Sequence, residues 1–417
     1  MAIDLSHKSV LFFDPSGDFV HMAEAVIGDF GAVKYFAPWD RGFPAVRDYV
    51  PGTGLDGIER VYDFFDALDE TDLVVFPDVG NGGLQEYLRR QGMAVFGSGY
   101  AEQLERNRWF LKSICKKYKL ECADAIPVTG LENLRQILAE MTDVYVKMSI
   151  FRGDDETFHH EDQADTTRRL NELALKMEPY SNHAEFVIEQ PISVDNCVEI
   201  GADLCANVAG LYPRYNLWGY EAKDRAYAGH AGLLPQRLTS VLEKLEPILR
   251  EFNYRGTLST ETKECKDGSY FLDFTARCAN PPSPLMRFMV QNWGEIMWEA
   301  ANGRIVEPEF AAPIGVQIIL RSEYGAENPL RISVGRWDRT VLFGHCAYEG
   351  SDYSISPSEI AECAAACGMG STLSQALEEA VNTAEGIKGR EITWDEGALE
   401  ELTESIETGD KLGISWE

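Results

Sequence analysis

Nowhere in the 417-residue sequence do 18 apolar residues run together, so no membrane-spanning helix is expected. Basic residues are scarce: 38 Lys and Arg stand against 68 Asp and Glu, a formal charge of −30. A field of that sign repels a nucleic-acid backbone and argues against direct nucleic-acid binding. A nucleotide ligand stays open, because it needs only a local basic cluster. A paired cysteine framework is missing too. The nine Cys are odd in number and scattered, which reads as free thiols in a reducing compartment. There is no internal repeat and no dinucleotide-binding fingerprint; Gly80, Gly82 and Gly83 have the spacing of a plain turn. Nor does any Ser/His/Asp or Cys/His arrangement call for a covalent enzyme intermediate. The opening residues Met1-Ala2-Ile3-Asp4-Leu5-Ser6 lack the basic-then-apolar order of a secretory leader. The expected location is therefore the cytoplasm.

What remains is an ordinary globular composition, 45% hydrophobic and 25% charged, in a chain long enough for two to four packed units. Short apolar runs (Val10–Phe13, Ala32–Phe36, Leu73–Phe76, Ala94–Phe96) alternate with helical stretches in the first hundred residues. That alternation predicts a parallel sheet covered by helices. Residues 101–120 form a helix carrying Arg106, Arg108, Lys112, Lys116, Lys117 and Lys119, read from composition as a solvated face. Strands dominate from Val144 onward, and Lys266-Asp267-Gly268 marks a hairpin turn. Near the end, Leu373, Ala376, Leu377, Ala380, Val381, Ala384 and Ile387 recur at helical spacing. The Ala-rich stretch holding Cys363 and Cys367 also reads as helix. The tail after Asp395 reads as a solvated helix and a loose end.

Several charges are hard to explain by packing. Lys147 lies inside the apolar strand Val144-Tyr145-Val146-Lys147-Met148, Glu199 and Asp203 interrupt the strand Val198–Val208, and Glu189, Glu261 and Asp273 sit within other apolar strands. Arg277 follows Asp273 by four positions. Buried acids need partners, and a divalent cation bridging nucleotide phosphates is one such partner. Glu261 and Asp273 lie on the two arms of one hairpin, where strand alternation can aim both at one face. Cross-strand pairs with Lys263 or Lys266 would explain each acid alone, but less readily the whole set together with Lys147. His159, His160 and His230 are more readily structural than functional.

The order of several segments resembles phosphoribosylamine–glycine ligase of the ATP-grasp superfamily. These are Val74-Val75-Phe76-Pro77-Asp78, Gly92–Gly97, Gln103-Leu104-Glu105 through Lys112, Tyr145-Val146-Lys147, Val187–Pro191, Tyr254–Leu258, Lys266-Asp267-Gly268 through Arg277, and Gly370–Leu377. The resemblance implies an ATP-grasp α/β (α+β) fold. A pre-ATP-grasp domain would occupy 1–100, the ATP-grasp domain 101–310 with a lid subdomain at about 121–190, and a small α/β domain 311–417. It implies ATP with Mg2+ or Mn2+, small carboxylate and amine substrates, and a monomer or homodimer.

Residue by residue, Arg108 and Lys147 match the two phosphate-binding cations, and Lys223 a further phosphate contact. The loop 149–156 with Arg152 and Gly153 matches the lid over the triphosphate. Glu189, Gln190 and Ile192 match the adenine hinge; Glu199, or second Asp195, matches the acid holding the ribose. Glu261, Asp273 and Thr275 match the metal ligands, and Arg277 the residue that steadies the acyl phosphate. The match has gaps. Only Gly153 remains of a glycine-rich lid, Thr275 replaces the usual Asn, and Asp273 the usual Glu. The N-terminal turn reads Pro15-Ser16-Gly17-Asp18-Phe19 where the family has Gly-Gly-Arg-Glu-His, which argues against phosphoribosylamine as acceptor. The implied activity is amide formation through an acyl phosphate, joining a glycine-like amino acid to another amine. A true phosphoribosylamine–glycine ligase and a non-catalytic ligand-binding relative are the alternatives.

Overall fold

The computed structural model describes residues 3–37, 51–149, 157–192, 196–334, 339–344, 346–350, 352–357 and 360–416. The N-terminal apolar runs form a five-stranded parallel sheet in the order 59–60, 32–36, 9–13, 73–75, 94–96. Alternate residues serve opposite faces: Val10, Phe12, Val33 and Tyr35 enter one core, while Leu11, Val74 and Val95 enter another with Phe64 and Leu88. A parallel sheet buried on both sides has this continuous apolar run rather than an alternating one. The Gly80–Gly83 turn opens the helix Gly82–Arg90, whose free N–H groups are met by Glu102: Gly80 and Gly82 donate to its Oε2 at 2.7 and 2.9 Å.

The largest sheet is antiparallel and eight-stranded, in the order Ser269–Thr275, Arg255–Glu264, Val198–Val208, Tyr215–Ala222, Ala226–Leu233, Ile314–Arg321, Glu362–Gly370, Thr340–Leu342. It runs without a break across the 310/311 boundary expected from the sequence, because Ala226–Leu233 pairs with Ile314–Arg321. Its pattern is legible on Val198–Val208. Val198, Ile200, Ala202 and Leu204 pack outward beneath helical cover. Glu199, Gly201 and Asp203 take the opposite face, where alternation puts every second residue. Gly97 joins the two sheets, its N–H donating to the Arg255 carbonyl at 2.7 Å. A Cβ on Gly256 would sit 3.1 Å from the Gly97 carbonyl carbon, so a side chain there would press on the junction.

A small four-stranded antiparallel sheet, ordered 125–129, 185–189, 144–148, 157–160, carries helices Leu131–Leu138 and Gln163–Met177 on one face over its own core. A second small sheet (346–349, 352–355, 330–333, 388–389) completes the C-terminal part. Among the described residues no helix is long and apolar enough to cross a membrane.

Three sequence readings change. Cys363 and Cys367 lie not on a helix but on the buried strand Glu362–Gly370. Alanine and cysteine are common to buried strands and helices, and here tertiary packing decides. The helix Leu373–Gly386 lies so close that a Cβ on Gly368 would run into the backbone of Ala376 and Ala380. Gly368→Ala is accordingly expected to destabilise the protein by about 3 kcal/mol or more, as forced backbone shifts do, measurable as a lower denaturant midpoint. Second, the thiols are not all free: Cys197 and Cys265 form a disulfide across neighbouring strand ends, 68 residues apart in sequence. Third, the C-terminal tail is docked. After helix Gly397–Lys411, Ile414 is buried, its carbonyl accepts from Tyr220 Oη at 3.1 Å, and Trp416 stacks on His230.

Candidate functional site

The site face of the large sheet reads as rows, because residues paired across strands point the same way. One row is Asp273–Glu261–Gly201–Gly219. The next, two residues along, is Thr275–Ser259–Asp203–Leu217. Glu199 faces Lys263 on the other side of the first row. Glu261 and Asp273 are thus direct cross-strand partners, and two like charges placed so close call for cations.

Cations arrive from three other elements. Helix Arg108–Tyr118 begins with Arg108, whose Nη1 reaches both carboxylate oxygens of Asp273 at 2.5 and 2.6 Å. Asn107 sets that helix start by capping Phe110 N–H. Lys147, on strand Val144–Met148 of the small sheet, donates to the Leu272 carbonyl at 3.5 Å and pairs with Glu189 at 3.4 Å. Lys223, just past strand Tyr215–Ala222, interacts with Glu261 and Glu221. The electrostatics follow. Burial pushes the Asp273 carboxyl up, but Arg108 and Lys147 outweigh it and hold it at about 2. Glu261 is raised by burial, with Asp273 and Glu199 adding to it and Lys223 and Lys147 opposing. Glu221 is pushed up to about 8, chiefly by burial. Lys223 is raised by Glu261 and then Glu221.

Glu189 is buried at the end of strand Glu185–Glu189 and held between Lys112, at 2.9 Å, and Lys147. Burial alone lowers the Lys112 pKa, and Glu189 raises it overall. The N–H of Gln190 donates to Asp124 O at 2.9 Å, and Ile192 is half-buried beyond it. Arg277 is gripped by Glu105 at 2.9 Å, with Asp78 at 3.7 Å, and donates to the Cys278 carbonyl. The same Glu105 accepts the Ala276 N–H at 2.7 Å. Arg152 and Gly153 of the expected lid, and Asp195, lie outside the described residues.

The structure therefore brings Arg108, Lys147, Lys223, Glu261 and Asp273 together, with Thr275 one row on and Glu199 at the exposed edge. The solvated reading of helix 101–120 holds for Lys116, Lys117 and Lys119, which are exposed, and is corrected for Arg108 and Lys112, which are buried against acids from distant strands. Asp273 pairs with Arg108, not with Lys266. Sequence reasoning missed Glu105, Lys112 and Glu221, and read Asp203 only as an interruption. The four-residue spacing of Arg108 and Lys112 was the available signal, since it puts both on one helix face. The three histidines are occupied elsewhere: His159 with Asp143 and Glu161, His160 with Thr166 and the Leu138 carbonyl, His230 against Trp416.

Asp203 is pushed up to about 7 by burial, against the hydroxyl donors Ser259 and Tyr227. In the folded protein Asp203 and Glu221 keep protons that an unfolded chain releases near pH 4. Their contribution to stability is full below about pH 4 and is lost as pH rises through 7 to 8. The ligand-free melting temperature is expected to fall between pH 5.5 and 8.5, and Asp203→Asn to flatten that fall. An equal slope in the variant contradicts the assignment.

This architecture, a parallel N-terminal sheet, a small antiparallel sheet and a large antiparallel sheet bearing paired acids, is that of the ATP-grasp fold. The solved structures it resembles include phosphoribosylamine–glycine ligase from Thermotoga maritima, with TM-score 0.69 and 16% identity over 93% of this chain and 98% of that one. The biotin carboxylase domain of 2-oxoglutarate carboxylase from Hydrogenobacter thermophilus, solved with MgADP, ADP and bicarbonate, aligns at TM-score 0.67 and 12% identity, over 97% of this chain and 98% of that one. N5-carboxyaminoimidazole ribonucleotide synthetase from Thermotoga maritima aligns at 0.59 and 14%, over 94% and 99%. No family model and no curated protein matches the sequence. Likeness at these identities defines the fold.

Proposed function

We propose that this chain is an ATP-dependent carboxylate–amine ligase that forms an amide through an acyl phosphate. The observation that carries the reading is the convergence of Arg108, Lys147 and Lys223 on the opposed pair Glu261–Asp273. Two carboxylates ringed by three cations suit a polyphosphate bound with a divalent metal. Mg2+ takes one or two carboxylates and completes its shell with phosphate oxygens and water. Glu261 and Asp273 would hold the ion, with Thr275 on the same face. When bound, Mg2+ neutralises charge on the transferring phosphoryl group.

The remaining work belongs to side chains. Arg108 and Lys147 bind the phosphates and offset charge that builds as the phosphoryl group moves to the substrate carboxylate. Arg277, fixed by Glu105, presents its guanidinium to the acyl phosphate. Gln190 and Ile192 border the adenine, Glu199 the ribose, and Lys223 the phosphates. The amine then attacks the acyl carbon; its C–N bond replaces the C–O bond to phosphate, the phosphate leaves, and the nitrogen gives up one proton. The donor is a small amino acid. The chain's turn at Asp14–Phe19 has no Arg or His for a ribose phosphate; Asp14 instead accepts from Tyr35, Ser16, Gly17 and Phe19.

A screen of amino acids against amines with MgATP, read as ADP release, tests this. Release that needs one acid and one amine together supports a ligase; ATP binding without release from any pair supports a binding protein instead.

A further inference from the structure

Asp203 stands apart from the other acids of this face. It is 4% exposed. Its Oδ1 accepts from Ser259 Oγ at 2.6 Å and its Oδ2 from Tyr227 Oη at 2.7 Å. Both partners are neutral hydroxyls, whereas Asp273 and Glu189 each have a cation. A buried carboxylate without a cation is costly to keep charged.

Its position suggests what offsets that cost. Two recesses meet at Asp203 and Ser259, which line both. One recess holds Glu199, Lys223 and Glu261, and the other reaches Arg277. Two residues along a strand span about 7 Å, so Asp203 lies one row from the Glu261–Asp273 pair, toward Arg277. Gly201 keeps the approach clear. A Cβ there would stand 3.6 Å from Oδ2 and 4.0 Å from Oδ1, in the space above the carboxylate. Gly219, the cross-strand partner of Gly201, adds no side chain to that floor.

We propose that Asp203 anchors the acceptor amine, bound as a primary alkylammonium, between the Glu261–Asp273 pair and Arg277. The inference rests on the ligase reading above and names the class of its second substrate. An ammonium carries three N–H donors. The carboxylate has a lone pair left on each oxygen, and the Tyr227 and Ser259 oxygens can accept as well. A guanidinium needs two unobstructed oxygens side by side, and here each already takes a hydroxyl proton. Burial pushes Asp203 up to about 7, so its carboxylate can take one N–H proton from the held ammonium, freeing the nitrogen lone pair that attacks the acyl phosphate.

The test pairs two nucleophiles against the same activated acid. Hydroxylamine is largely uncharged near pH 7 and traps acyl phosphates as hydroxamates; ethylamine is an ammonium at that pH. With MgATP and an amino-acid panel, Asp203→Asn is expected to leave hydroxamate formation within about twofold of the parent. Its KM for ethylamine should rise tenfold or more, the scale of a lost charged hydrogen bond. Gly201→Ala, which meets nothing closer than 3.6 Å, should raise the ethylamine KM in a fully folded protein. Asp203→Glu should recover part of the loss. An unchanged ethylamine KM in both variants, or an equal loss with both nucleophiles, overturns the assignment. If the parent protein forms no hydroxamate with any acid, the ligase reading itself fails and this inference falls with it.

Discussion

Glu261→Gln is expected to cut ADP release by about 10³-fold while leaving the protein at least as stable as its parent. The loss follows from electrostatic catalysis, in which one preorganised charge at a transferring group is worth about 10²–10³ or more in rate. The retained stability follows from the surroundings. Burial, Asp273 and Glu199 all disfavour the charged form of Glu261, so an isosteric neutral amide relieves repulsion. A melting curve and an ADP-release assay on one preparation check both halves. A variant with unchanged turnover removes Glu261 from the site.

Arg108→Ala is expected to act on stability most strongly of all. Arg108 and Asp273 have side chains only 9% and 22% exposed and meet through both carboxylate oxygens. Removing one member of a buried pair leaves the other uncompensated, at about 3–5 kcal/mol. Lys147 is the other cation holding Asp273 ionised, and it moderates the loss without replacing the contact of Arg108 Nη1 with both carboxylate oxygens. Asp273→Asn added to Arg108→Ala should recover much of the stability and none of the turnover. A double-mutant cycle by denaturant titration measures this coupling. Additive losses would show that the pair is not a unit.

Much of this molecule was readable because its local rules agree. Four of the parallel N-terminal strands announce themselves as three- to five-residue, largely apolar runs ending at turns. Val198–Val208 shows its two faces in its letters: Val, Ile, Ala and Leu pack outward, while Glu199, Gly201 and Asp203 face the site. Glu261 and Asp273 could be placed together from a hairpin alone, and they are register partners. What escaped were facts that depend on register or on distant segments. The Cys197–Cys265 bridge is a cross-strand contact between residues 68 apart, invisible without knowing which strands pair. Arg108 and Lys112 looked solvated because their partners, Asp273 and Glu189, lie 165 and 77 residues away. Strand Glu362–Gly370 was misread because Ala and Cys suit either period, and its neighbour's close approach, not its own propensity, makes it extended. Asp203 looked like a break in a strand because nothing in the sequence says that Tyr227 and Ser259 will meet it.

The central claim is that the chain uses ATP to activate a carboxylate before any amine arrives. Positional isotope exchange in ATP labelled at the β,γ-bridging oxygen measures this step by itself. The account predicts scrambling of the label that requires Mg2+ and the cognate amino acid, proceeds without amine, and disappears in Glu261→Gln. ATP that binds tightly yet never scrambles with any carboxylate would contradict it.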